Sequence, residues 1–514
     1  MLFQTDIAIV GSGIAGLSFA IKMAELRPDL EISVFSKERS DSGNTQKAQG
    51  GIAVVLDKKQ DSFSSHFEDT IRAGKGYNDP DTVKMVVEQA PDRLAELLQW
   101  GSDFDQAANG EFDLVLEGGH SFNRILHKQD FTGREIQTKL LAKIASYPNI
   151  RLFSHYFVTD LLRKPRKSTP TCMGIRALDL KKNALSEIRS KATLLATGGS
   201  GMLFGNTTNP PVATADGIAM AFNAGAEIAD MNFIQFHPTA LYEKNPEALF
   251  LISEAVRGYG AYVVNKKGKR FLLDHDQRGE LATRDIISAA ILKELSASGD
   301  ECVFLDCRHL DQEKFSAHFP TIVGYCRKKG ICVKTDLIPV IPAAHYQCGG
   351  IKVDRHGQTS VKNLFASGEC SCTGLHGSNR LASNSLLEAL VYSHQAANFL
   401  VDQIDSIQAP PVAISIESSP KKLGDDQKLI FERVKNRLKD LMTYQLVYLS
   451  PVSEKESALK ELEIIQATLS SVFDKNRFNP KYYELRNLLV TASLVIEHAV
   501  KFEKKTGSKL KVLV

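Results

Sequence analysis

The chain opens on a short apolar run, Asp6-Ile7-Ala8-Ile9-Val10, then the glycine-rich Gly11-Ser12-Gly13-Ile14-Ala15-Gly16, then apolar positions at helical spacing from about Leu17 to Glu25. A second apolar run follows from Glu31 to Phe35. This succession predicts strand, tight turn, helix and strand, a βαβ start to a doubly wound parallel sheet. Continuous apolar runs return from Ala192 to Ala196, ending in Thr197-Gly198-Gly199, and from Asn363 to Ala366, ending in Ser367-Gly368-Glu369. A long helical period from about Ser383 to Ile404 comes next. Sheet-forming sequence therefore flanks a block, residues 237–345, whose pattern is mixed and irregular, as expected of an inserted α+β unit covering a nucleotide site. The expected division is 1–236 with 346–410 for the sheet domain and 237–345 for the cap.

Pro410, Pro411 and Pro420, with neighbouring serines, mark a linker. Beyond it the period turns helical: Ile430, Val434, Leu438 and Leu441 share one face, and Leu459, Leu462, Ile465 and Leu469 another. Ser453 and Glu456 have the spacing of a capping box. A three-helix bundle over 420–514 is the simplest arrangement.

The length of 514 residues suits two or three domains. With 63 basic against 60 acidic residues the formal net charge is +3, which provides no field for nucleic acid or an anionic membrane surface. No apolar run reaches the length of a membrane helix, and no charged leader precedes the first strand, so a cytoplasmic location is expected. The eight cysteines (Cys172, Cys302, Cys307, Cys326, Cys332, Cys348, Cys370 and Cys372) include no CxxC pair, so reduced thiols and no metal site are expected.

A glycine turn of this form lets backbone approach a pyrophosphate at a helix N-terminus. The acid that commonly follows at the end of the second strand is replaced by Ser36-Lys37-Glu38. Ser36 is a weaker ribose partner, and Lys37 and Glu38 also fit a solvated strand end. The loop Asn44-Thr45-Gln46-Lys47-Ala48-Gln49-Gly50-Gly51 would by itself pass for a surface turn.

Taken with the first fingerprint, that loop resembles the flavin-proximal loop of the succinate dehydrogenase and fumarate reductase flavoprotein family. Further segments carry the resemblance across most of the chain: Glu117-Gly118-Gly119-His120-Ser121, Gln235-Phe236-His237-Pro238-Thr239, Ser253-Glu254-Ala255-Val256-Arg257-Gly258 and Pro342-Ala343-Ala344-His345-Tyr346. The run Gly374-Leu375-His376-Gly377-Ser378-Asn379-Arg380-Leu381-Ala382-Ser383-Asn384-Ser385-Leu386-Leu387-Glu388 is similar to the signature of the family's aspartate-oxidising members. The resemblance implies an α/β fold with a Rossmann-like FAD-binding domain, an inserted α+β capping domain and a C-terminal three-helix bundle. Asn44 stands where covalently flavinylated members carry histidine, which implies non-covalent FAD.

The implied cofactor positions are Gly11, Gly13, Ala15, Gly16, Ser36, Lys37, Asn44, Thr45, Gln49, Gly50, Gly51, Val158, Thr197, Gly198, Asp216, Glu369, Ser385 and Leu386. Arg380, His237, His345 and Ser253 are implied to bind substrate carboxylates, a task suited to a guanidinium, imidazoles and a hydroxyl donor. Met singly, these residues would read as a surface arginine, core histidines and a helix-capping serine. Arg284, in Leu281-Ala282-Thr283-Arg284-Asp285, takes the family's proton-shuttle position; its ordinary alternative is a first-turn ion pair on a helix capped by Thr283. Because a guanidinium holds its proton tightly, its role in amine oxidation is open between base and fixed charge. Glu117 would attract a substrate ammonium, or else is a solvated loop acid.

The implied activity is oxidation of L-aspartate, with O2 or fumarate as acceptor, at the start of de novo NAD synthesis, with quinolinate synthase as a transient partner. The alternatives are a soluble fumarate reductase or a succinate dehydrogenase flavoprotein subunit, a non-catalytic FAD scaffold, and a nicotinamide dehydrogenase. The segment Lys504-Lys505-Thr506-Gly507-Ser508-Lys509 departs from the aromatic and acidic tail usual in the family.

Overall fold

The computed structural model describes residues 3–164, 170–244, 246–410, 416–418, 425–472 and 478–507. Pro411, Pro420, Ser508 and Lys509 lie outside the described residues.

The first strand, Phe3–Val10, lies in a parallel array: Ile7 pairs with Ile32 on one side and Ala192 on the other, Ile32 pairs with Ile150, and Leu364 pairs with Thr193. The strand Ala184–Leu195 has two halves. Its apolar end runs parallel to the first strand, and its start forms an antiparallel hairpin with Cys172–Asp179, which pairs in turn with Tyr156–Arg163. The sequence pattern marks only the end from Ala192 because residues 184–191 alternate between buried and half-buried positions, the signature of a sheet solvated on one face.

The helices Ile14–Leu26 and Asn384–Gln403 pack against one another and bury one core with the parallel strands. The parallel strands end at Val10, Ser36, Leu195 and Ala366, which puts the mouth of a nucleotide site at their carboxyl edge.

Between these halves, the strands Ile234–Leu241 and Ile338–Gln347 run antiparallel, so the segment between them leaves and returns at one place. That segment has its own core, including Ile252, Val256, Val263, Ile291, Leu305 and Phe319.

The C-terminal helices are Asp425–Leu441, Val452–Ser470 and Pro480–Thr506. Val434, Leu438, Leu462, Ile465 and Leu469 are buried, in a core shared with Phe157 and Leu178 of the hairpin and with Ile234 and Phe236. Two local expectations fail. Ser453 does not cap: the N-cap is Pro451, two residues earlier, whose carbonyl accepts Glu454 N–H, and Ser453 lies inside the first turn. Thr283 stands at the N-cap of Arg284–Ser298, but its hydroxyl accepts no hydrogen bond from the helix; only its carbonyl does, from Ile287 N–H at 3.2 Å. A π-helical turn, Gln445–Leu449, joins the first two C-terminal helices and delivers the Tyr448 hydroxyl to Ile234, accepting its N–H at 2.9 Å and donating to its carbonyl at 2.5 Å. Among the described residues no helix is long and apolar enough to cross a membrane.

Candidate active site

A cavity of about 570 Å³ runs from the carboxyl edge of the parallel sheet to the strand bearing His237. Every expected cofactor position lines it except Gly16. Gly16 serves packing: a Cβ there would fall 2.0 Å from the Gly11 carbonyl oxygen. Gly11 has φ +114°, and a Cβ on it would sit 2.0 Å from Ala196 O, so only glycine brings the turn this close to the neighbouring strand. Gly198, at φ +73°, has nothing within 4 Å of where its Cβ would be and opens onto the cavity. Thr45 Oγ1 accepts Ile14 N–H at 3.0 Å, fixing the Asn44–Lys47 turn on the start of the first helix. A cradle of bare backbone beside a helix N-terminus fits the pyrophosphate of FAD.

At the end of the second strand, Ser36 donates its hydroxyl to Arg39 O at 3.3 Å. Lys37 is not a solvated strand end: its ammonium contacts Thr214 Oγ1 at 2.6 Å, Asp216 Oδ2 at 2.9 Å and Glu484 Oε1 at 2.8 Å. Burial alone would lower its pKa, but the two carboxylates hold it above the usual lysine value. At the other end Asn44 Nδ2 donates to Glu369 Oε2 at 2.8 Å, so the residue in place of the flavin-linking histidine holds a carboxylate. Burial raises that Glu369 carboxyl to about 6.

The two histidines meet through an irregularity in strand pairing. The register passes from Gln235↔Tyr346 to Phe236↔Ala344, so His345 is the extra residue of a β-bulge and its ring comes within 5.0 Å of the His237 ring. His237 Nδ1 receives the Thr239 backbone N–H at 3.2 Å. A backbone N–H only donates, so the imidazole proton must lie on Nε2, which is buried without a partner and therefore available to a substrate carboxylate. Burial, then Arg284, keeps both histidines far below their usual pKa, hence neutral.

Gln235 Oε1 accepts from both arginines, at 2.9 Å from Arg284 Nη1 and 3.2 Å from Arg380 Nη2. Arg380 also donates to Ser385 Oγ and lies over the Tyr346 ring at 4.4 Å. Burial, then Arg284, lowers its pKa to about 10. Arg284 does not pair with Asp285, which engages Lys75 at 2.7 Å; its Nε donates to Glu254 Oε2 at 2.5 Å instead. Ser253 accepts Ala255 N–H at 3.2 Å as the cap of Glu254–Gly258 while lining the cavity.

Glu117 is 3% exposed, which removes the solvated-loop alternative. Burial, then Glu254, raises its carboxyl pKa. The residues given no role by sequence reasoning are Gln235, Glu254 and Arg257, although all three lie inside recognised segments. Glu254 and Arg257 share one face of a short helix, with Glu254 Oε1 and Arg257 Nη2 3.5 Å apart. The i,i+3 spacing of acid and base was the available signal. A buried charged row, Arg284, Glu254 and Arg257, thus leads away from the cavity.

Residues 6–386 match the family model described as FAD binding domain. The curated chloroplastic L-aspartate oxidase of Oryza sativa subsp. japonica is 39% identical over 98% of this chain and 80% of its own length. L-aspartate oxidase 1 of Ralstonia nicotianae is 39% identical over 98% of this chain and 94% of its own. Among solved structures, the FrdA chain of an E. coli quinol fumarate reductase variant has a TM-score of 0.85 at 28% identity, covering 98% of this chain and 90% of that one.

Proposed function

As the chain belongs to the L-aspartate oxidases within the FAD-binding flavoproteins, we propose that it oxidises L-aspartate to iminoaspartate, the first step of de novo NAD synthesis. When bound, FAD supplies the electron acceptor, taking the Cα hydrogen with its electron pair and passing the electrons to O2, which yields H2O2, or to fumarate. Gly11, Gly13, Thr45, Gly198 and Glu369 are the residues that would hold it.

The observation that carries this reading is the buried Glu117 lining the same cavity as Arg284, Arg380, His237 and His345. Arg284 and Arg380 line one cavity with Glu117 and Glu254, which provides positive groups for two carboxylates and an acid for the ammonium of an amino dicarboxylate. Arg380, His237 Nε2 and His345 orient the carboxylates, and Glu117 receives the ammonium. Oxidation of the Cα–N bond releases one ammonium proton. Glu117, whose carboxyl is pushed above the usual carboxylate range, takes it up. Arg284 is held by Glu254 and Gln235 and acts as fixed positive charge beside the reacting carbon. In a water-excluding site such preorganised charge is more effective than in solvent. The reading carries with it a cytoplasmic location and handover of the water-labile imine to quinolinate synthase.

A fumarate reductase is the second reading, favoured by the likeness to the E. coli reductase chain. With anaerobic, FAD-loaded protein, L-aspartate is expected to bleach the oxidised-flavin band near ~450 nm. Bleaching by succinate but not by L-aspartate would overturn the first reading in favour of the second.

A further inference from the structure

Ser383 stands at the N-cap of the helix Asn384–Gln403, where a serine ordinarily accepts a hydrogen bond from the first turn. It makes no such bond, and its backbone is left-handed at φ +61°. A non-glycine residue keeps that conformation only where its surroundings hold it. The holding contacts come from the flavin-side loop: the Ser383 carbonyl accepts Ala53 N–H at 3.1 Å and its hydroxyl oxygen accepts Gly51 N–H at 3.2 Å. The single hydroxyl proton is then directed to Glu117 Oε2, at 2.5 Å. Space for this carboxylate comes from Gly50, where a Cβ would fall 2.9 Å from Glu117 Oε1 and 3.5 Å from Ser383 Oγ.

We propose that Ser383 is a positioning residue for the substrate's amino group: its hydroxyl aims the Glu117 carboxylate and so sets the preference for an amino dicarboxylate over the same dicarboxylate without the amine. The proposal rests on the aspartate-oxidising reading above. Five influences besides Ser383 act on Glu117: burial and Glu254 oppose its ionisation, while Arg284, Arg380 and, from behind Glu254, Arg257 favour it. The Ser383 donor works with the arginines. It ties the substrate loop, the flavin loop and the helix start into one contact, and a helix-capping serine is diverted from its local task to do so.

The test uses FAD-loaded Ser383→Ala and Ser383→Gly. Glycine accepts a left-handed backbone readily, so a loss common to both variants belongs to the hydroxyl and not to strain. Removing a hydrogen bond to a charged group should raise KM for L-aspartate by ~10-fold or more in both, with kcat changing less. The inhibition constant of succinate, which has no amine, should stay within about twofold. The acid limb of kcat/KM for aspartate should move to higher pH, because Glu117 loses a donor to its charged form. Unchanged aspartate kinetics, or equal weakening of aspartate and succinate, overturns the proposal. Wild-type protein that fails to oxidise aspartate refutes the underlying reading instead.

Discussion

Lys37, at the end of the second strand, and Glu484, on the last helix, form an ion pair of 2.8 Å across 447 positions of sequence. Asp216 completes the cluster, bonded to Lys37 and to Asn487 Nδ2 at 2.8 Å. Arg486 adds a bond to Thr159 O at 2.7 Å. The last helix is therefore fastened to the cavity wall through charged and polar groups as well as through the apolar core.

Glu484→Ala should lower unfolding stability by about 2 kcal/mol, less than for a wholly buried pair because Asp216 still faces Lys37. The gain in Tm on adding FAD should shrink with it, since Lys37 lines the cavity. Thermal unfolding with and without FAD reads both quantities. An unaltered FAD-dependent gain would separate the helix from the cofactor site.

Arg284→Lys should reduce aspartate oxidation by at least ~100-fold, because an ammonium cannot make both the Nε bond to Glu254 and the Nη1 bond to Gln235 while presenting charge to the cavity. Flavin content should be retained. Rapid anaerobic mixing measures the step directly, and a full reduction rate in the variant would remove Arg284 from it.

The raised Glu117 pKa predicts how activity varies with pH. Aspartate binding needs the carboxylate, so kcat/KM falls as pH drops through a value above the ~4.3 of free glutamate. Succinate should behave oppositely: protonating Glu117 removes a negative charge, so succinate inhibits more strongly over the same window. Glu117→Gln should abolish this acid limb and raise KM for aspartate at least ~10-fold. Equal pH profiles for the two ligands in the wild-type protein would dismiss Glu117 as the amine selector.

Asp130 lies on the sheet side of the cavity and its Oδ2 accepts Ile322 N–H at 2.9 Å. Ile322 is in the first turn of Pro320–Lys328, whose own N-cap residue supplies no side-chain bond. A carboxylate from outside residues 237–345 thus caps a helix within them. Asp130→Ala should cost about 1 kcal/mol locally, visible as faster proteolysis within residues 237–345 and faster release of bound FAD. Wild-type rates for both would show that other contacts hold the two units together.

Much of the site was legible because it is local. The Gly11–Gly16 turn states its conformation in consecutive residues, and the burial of Val434, Leu438, Leu462 and Leu469 follows from helical spacing. Local rules failed where distant groups competed. Ser453 lost its cap to an earlier helix start, and Ser383 directs its hydroxyl to Glu117. Lys37 looked like a solvated strand end because its partners are 177, 179 and 447 positions away.

By itself the sequence determined the identity of the chemical groups: a glycine cradle, two arginines, two histidines and an acid. Residue type and short spacing carry that information. Only the tertiary structure decided what those groups do to one another. The bulge at His345, the tautomer of His237, the charged row through Glu254 and the hydroxyl that holds Glu117 all depend on the pairing of segments far apart in sequence. Hydrogen bonds and charges act through space over a few ångströms, and separation along the chain does not enter into their energy.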